Sequence, residues 1–172
     1  EAVPASNTFT PLMTAYLTDD FSADVLKEGK REGIFTAAKL YPANATTNSA
    51  EGVSDLNAID TILETMEEID MPLLIHGEVV DPDVDIFDRE AVFIERHLEP
   101  LLRRFPRLRV VLEHITTEDA VDFVKSSSSK LAATITPHHL HINRNSIFQG
   151  GLRSDFYCLP VAKREKHRLA LR

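Results

Sequence analysis

Short apolar runs separated by longer amphipathic segments recur along the whole of this 172-residue chain, and that alternation constrains its fold more than any other feature. The runs fall at residues 9–17, 35–41, 73–76, 109–114, 131–136 and 156–159. Several are apolar on consecutive positions rather than on alternate ones. That pattern suits strands buried on both faces, as in a parallel sheet covered by helices. Between the runs lie helical stripes. Ser22 is expected to open one through Val25 and Leu26, and Ser54 to cap one carrying Leu56, Ile59, Ile62, Leu63, Met66 and Ile69. Asp85 is expected to cap a third, with Ala91, Phe93, Ile94, Leu98 and Leu101 buried and Pro106 ending it; Thr116 or Thr117 opens a fourth. The serine run at 126–129 reads as a polar connection.

Strands alternating with helices imply right-handed crossovers and a parallel sheet. A doubly wound nucleotide fold shows a glycine-rich turn after its first strand. Here glycine is scarce, with six residues, and neither GxGxxG nor GxxxxGK[ST] occurs. The expected fold class is therefore α/β, a (β/α)8 TIM barrel. Eight units take about 250 residues, so residues 1–172, one domain without a linker, are expected to hold an incomplete barrel of about six strands.

In a barrel, functional side chains sit at the C-terminal ends of strands. Those ends carry Lys39 in FTAAKLYP, His76 in PLLIHGE, His114 in VVLEHITT and the pair His138/His139 in ATITPHH. Lys39 precedes His76 by 37 residues and His76 precedes His114 by 38, so the three recur once per βα unit. Imidazoles converging on one mouth are candidate zinc ligands. A partly buried strand-end lysine has a lowered pKa; its neutral amine can add CO2 to give an anionic carbamate able to bridge two metals. The ordinary alternative, hydrogen-bonded core residues, stays open. Glu78 reads either as a support for His76 or as plain loop, His97 as surface and His167 as solvated. The Asp81–Asp85 stretch lacks the glycine and glutamate of a calcium loop.

The net charge of −8 argues against a nucleic-acid binder. Arg103, Arg104, Arg107 and Arg109 form the one dense basic group and read as a solvated helix end. No apolar run reaches the ~18 residues of a membrane span, and EAVPASNTFT shows no signal-peptide pattern. A single cysteine, Cys158, fits a reducing, cytoplasmic setting.

The segments FTAAKLYPANATTNS, PLLIHGEV, IFDREAVFIE, LEHITT, LAATITPHHL, NRN and YCLP together closely resemble the bacterial-type dihydroorotases of the amidohydrolase superfamily, over essentially the whole chain. The resemblance implies a (β/α)8 barrel with two Zn2+ ions. It also implies reversible cyclisation of N-carbamoyl-L-aspartate to L-dihydroorotate in pyrimidine biosynthesis, by metal-assisted attack on the ring amide. By resemblance Lys39 is the carboxylated, metal-bridging lysine, and His76 and His114 are ligands of the second metal. Thr46 and Thr47 belong to a loop closing over the substrate carboxylate, and Leu159 binds the substrate ring through its backbone. The small molecule is the expected partner, with no nucleic acid or membrane, and a homodimer is expected.

Three family features are not found. No HxH or substrate-binding Arg precedes Lys39, and no GTDSAPH-like segment supplies the proton-transferring Asp. The one HxH, His139-Leu140-His141, matches a structural turn and is not assigned to metal. With no initiator Met and a helical HRLALR end, the chain is expected to be an internal piece of a longer dihydroorotase, inactive alone and binding at most one metal weakly. Two alternatives stand beside this reading: a hydantoinase- or allantoinase-like cyclic-amide hydrolase, and a non-catalytic barrel serving as a structural partner.

Overall fold

The structure, a computed structural model, describes residues 8–172; residues 1–7, part of the stretch read for a signal peptide, lie outside the described residues. Five parallel strands form one sheet: β1 Met13–Tyr16, β2 Phe35–Leu40, β3 Leu73–His76, β4 Val110–Glu113 and β5 Leu131–Ala133. Their spatial order is their chain order. A doubly wound sheet reverses direction at a switch point; this one does not. It winds one way, as barrel strands do, with five strands where a closed barrel has eight.

Helices fill the crossovers: α1 Ala23–Arg31, α2 Asp60–Glu68, α3 Arg89–Phe93, α4 Glu99–Arg104 and α5 Glu118–Ser126. The short α6 Pro137–His141, α7 Asn145–Phe148 and α8 Glu165–Ala170 follow. Strand residues Ala38, Leu40, Leu73, Ile75, Val110 and Leu112 form one buried cluster with Leu26, Leu63, Met66, Phe93, Leu98 and Leu101 from the helix side. A π-helical turn, Ile94–Leu98, joins α3 to α4. Pro100 at the second position of α4 has no N–H for a regular i→i−4 bond. The wider turn also lets Phe93 and Leu98, five residues apart, both face the core, where a regular helix would set them about 140° apart.

Several local expectations are corrected. The run at 156–159 is not a sixth strand. Phe156 and Tyr157 donate their N–H groups to the Arg153 and Ser154 carbonyls in a 3-10 turn, so they are not free for a ladder. Ser54 does not cap α2, because its N–H and hydroxyl both bond the Asp19 carboxylate, at 2.8 and 2.5 Å. Asp85 opens a turn by accepting from Phe87 N at 2.8 Å, and α3 starts only at Arg89. Thr117 does cap α5, accepting from Ala120 N at 3.1 Å. His167 is not simply solvated: its Nδ1 accepts from Glu118 N at 3.0 Å and satisfies the same helix start. The helical ending closes at Ala170, with Leu171 N–H on the His167 carbonyl.

The basic group is neutralised by the chain's own acids. Arg103 pairs with Glu99, Arg104 with Asp60 at 2.9 Å, Arg107 with Glu67 at 3.1 Å and Arg109 with Asp70 at 2.7 Å. Each such exposed pair contributes about 0–1 kcal/mol. No helix among the described residues is long and apolar enough to cross a membrane.

Candidate metal centre

Parallel pairing sets the C-terminal strand ends side by side. Tyr16 lies opposite Lys39 across β1 and β2, and His76 opposite Glu113 across β3 and β4. The rings of His76 and His114 meet edge to face with centroids 4.9 Å apart. Tyr41 sits 6.0 Å from His76 and 5.7 Å from Tyr16, and the Lys39 ammonium lies 4.6 Å from the Tyr41 ring centre. Lys39, His76 and His114, singled out by their spacing, are thus brought together. The sheet also adds three residues that sequence reasoning missed: Tyr16, Tyr41 and Glu113.

Glu113 forms an ion pair with Lys39. Side chains of successive strand residues alternate in direction, so Glu113 and His114 would be expected to diverge. They do not, because His114 adopts a left-handed backbone with φ of 46°. That conformation is uncommon for a residue other than glycine, and His is among the side chains that tolerate it best. The only sequence signal for Glu113 is its place beside His114.

The electrostatics are those of a desolvated pocket. Burial pulls the Lys39 ammonium below its ordinary pKa, against the opposing pull of Glu113. Burial, with the nearby His76 and Lys39, lowers His114 to about 3, so its ring is neutral at ordinary pH. His114 Nδ1 is buried and makes no hydrogen bond. His76 Nε2 lies 2.9 Å from Glu78 Oε2, and both side chains are buried. A carboxylate only accepts, so the ring donates from Nε2 and keeps its lone pair on Nδ1. The neutral His114 ring with its orphaned buried nitrogen and the His76 ring, beside a depressed lysine, make a donor set that fits a transition metal. Among the described residues no three His, Cys, Asp or Glu side chains converge to hold a metal.

The other predicted residues lie apart. Thr46 and Thr47 sit in the loop after β2, where Ser49 Oγ accepts from Thr46 N at 2.9 Å and donates to its carbonyl at 2.6 Å. Tyr16 Oη donates to the carbonyl of Asn48 in that loop at 3.3 Å. Leu159 is half-buried, with a cis bond to Pro160. No hydrogen bond among the described residues ties Thr46, Thr47 or Leu159 to Lys39, His76 or His114. His139 is structural: its Nδ1 lies 2.6 Å from Thr136 Oγ1 and its Nε2 3.0 Å from the Pro160 carbonyl, which occupies both nitrogens. A cavity of about 700 Å3 opens between the loop after β2, the loop after β3 and α4. It adjoins the cluster only through Glu78, and its mixed lining carries no chemistry comparable to the strand ends.

No protein-family model matches the chain. Curated proteins do. A dihydroorotase from Synechococcus sp. (strain RCC307) is 76% identical over 171 residues, covering 99% of this chain and 49% of that protein. A dihydroorotase from Sphingopyxis alaskensis is 64% identical over 99% of this chain and 50% of its own length. Over nearly its whole length the chain is similar to these dihydroorotases. It spans about half the length of the curated relatives it matches. The crystal structure of dihydroorotase from Campylobacter jejuni superposes with a TM-score of 0.86 at 39% identity, over 96% of this chain and 47% of that one. A D-hydantoinase structure superposes at a TM-score of 0.71 with 13% identity, over 92% of this chain and 39% of its own, a likeness of fold alone. The likeness to these TIM-barrel structures agrees with the one-way winding of the sheet.

Proposed function

We propose that this chain carries one half of a dihydroorotase active site, serving the reversible cyclisation of N-carbamoyl-L-aspartate to L-dihydroorotate in pyrimidine synthesis. The observation that carries the reading is the convergence of Lys39, His76 and His114 with an unpaired His114 Nδ1. His76 and His114 would hold Zn2+ as neutral ligands. The Lys39 amine, once neutral, would add CO2 and lose a proton, and the resulting anionic carbamate would help the two histidines hold the zinc. Burial favours the neutral amine needed for that addition. Bound zinc supplies a Lewis acid that lowers the pKa of water and polarises a carbonyl.

The chain's own residues would do the rest. Tyr41 and Tyr16 wall the site, and the Thr46 and Thr47 hydroxyls donate to the substrate carboxylate when the loop after β2 closes. The backbone of Leu159 holds the substrate ring. The small-molecule substrate is the partner, in a cytoplasmic homodimer. The hydantoinase-like alternative rests on fold likeness at 13% identity, against 76% for the dihydroorotase.

Zinc competition against a chromophoric chelator, with turnover of N-carbamoyl-L-aspartate assayed alongside, tests the reading. Zinc binding lost in Lys39→Met, His76→Ala and His114→Asn supports it. Because the chain holds no HxH ahead of Lys39 and no late Asp segment, the 172-residue chain is expected to bind one zinc weakly and not turn over. Full zinc binding by all three variants would refute it, as would turnover by the unaltered chain.

A further inference from the structure

A buried set of charges lies directly behind the candidate ligands. Glu78 follows β3, Glu90 lies on α3, and Lys163 precedes α8; the three are 1%, 2% and 4% exposed. Lys163 Nζ donates to the Val161 carbonyl at 2.9 Å and stands 3.9 Å from Glu78 Oε1, an ion-pair contact rather than a hydrogen bond. Glu78 Oε1 has no hydrogen-bond donor, while Oε2 takes the His76 Nε2 proton at 2.9 Å. Glu90 accepts from the N–H and hydroxyl groups of both Thr116 and Thr117, the turn that follows His114. The Lys163 charge acts on both carboxylates.

Desolvating three charges is costly, and well-packed apolar residues would fold such a region at least as well. The arrangement does what apolar packing cannot: it dictates which imidazole nitrogen carries the proton. We propose that Glu78 is a positioning residue for His76, anchored by Lys163, that fixes the ring with its lone pair on Nδ1 for a metal. The proposal deepens the dihydroorotase reading and rests on its assignment of His76 as a ligand. A merely structural pair would leave the His76 ring free to take either tautomer and would leave metal affinity unchanged at constant fold.

The test uses the 15N-labelled 172-residue chain, free of metal, with 1H–15N spectra of the histidine side chains. A His76 Nε2 proton protected from exchange is expected in the unaltered chain. It is retained in Glu78→Gln, whose carbonyl oxygen still accepts, and lost to water exchange in Glu78→Ala. Zinc affinity is expected to fall about 10- to 100-fold in Glu78→Ala and to recover most of that in Glu78→Gln, with circular dichroism unchanged. In Lys163→Gln the same proton exchanges faster and zinc binds several-fold more weakly. Should Glu78→Ala not fold, Glu78→Asp decides, since one methylene fewer withdraws the carboxylate from the 2.9 Å contact. A protected proton that survives Glu78→Ala or Glu78→Asp overturns the proposal, as does undiminished zinc affinity. An unchanged Lys163→Gln removes the anchor. Because the spectra need neither metal nor substrate, they stand even if the catalytic reading fails, and absent turnover leaves them untouched.

Discussion

Replacing Glu90 by Gln changes one atom and leaves the volume unchanged, yet the structure expects a large effect. Glu90 is 2% exposed. Its Oε1 accepts from Thr117 N at 2.8 Å and Thr117 Oγ1 at 2.5 Å; its Oε2 accepts from Thr116 N and Oγ1, both at 2.9 Å. Gln must place an NH2 where one of these oxygens stood. The facing threonine hydroxyl can rotate to accept, but a backbone N–H cannot: an NH2 in place of Oε1 strands Thr117 N, whereas one in place of Oε2 leaves Thr116 N its other acceptor, Oε1 at 3.0 Å, but sets two donors face to face. That costs about 1–3 kcal/mol. The charged acceptor and its attraction to Lys163 are lost as well, but so is the cost of burying that charge, which pushes the Glu90 carboxyl up from its ordinary pKa, so the total expected stays at about 1–3 kcal/mol. For a chain of this size that is a fall in Tm of about 2–12 °C. Urea unfolding followed by circular dichroism measures it, with Glu95→Gln on the exposed face of the same helical segment as control, expected within ~0.5 kcal/mol. A Glu90→Gln change below ~1 kcal/mol would refute the claim that this carboxylate organises the turn after His114.

Three further outcomes follow from named contacts. Burial, with His138 nearby, lowers His139 to about 4; the unfolded chain therefore binds more protons between about pH 6.5 and 4, and stability is lost as pH falls through that window, by up to ~1.4 kcal/mol per unit. Urea midpoints for His139→Gln should show a flatter pH slope there, and an equal slope would exclude His139 as the source. Gly52→Ala would set a methyl 2.4 Å from the Tyr41 carbonyl, against backbone that cannot give way, so proteolysis of the 42–53 loop should accelerate at least several-fold at little change in global Tm; an unaltered cleavage rate would count against the contact. Leu73→Ala, at a position with no exposure in β3, should cost about 2–5 kcal/mol in denaturant unfolding, and a cost below 1 would mean that the sheet repacks freely.

The strands at 73–76 and 110–113 were legible almost to the residue, because each is a continuous apolar run bounded by polar or proline residues and paired on both sides. The run at 156–159 looked alike in composition but makes local turn bonds, and nothing in its own residues distinguishes it from a strand. Capping failed at Ser54 because Asp19, 35 residues away, claims its hydroxyl; such competition is invisible to local pattern. At the site, once-per-unit spacing exposed Lys39, His76 and His114, since parallel register converts equal intervals into adjacency. Glu113, Tyr16 and Tyr41 were missed because their part depends on side-chain direction. Lys163 was missed because it reaches Glu78 from a segment 85 residues further along the chain.

The left-handed backbone at His114 bears on how this residue can be studied. Its φ of 46° costs a β-carbon-bearing residue some energy unless the surroundings impose it. One side chain thus answers two demands, a nitrogen for the site and a tolerance for the bend. Alanine removes the first and strains the second, so a loss seen in His114→Ala would conflate a missing ligand with a relaxed main chain. Asparagine, which accepts the left-handed region readily, separates them, and glycine gives the bend with no side chain at all. The informative mutational series at this position runs through Asn and Gly, because there the chemistry and the course of the chain are specified by the same residue.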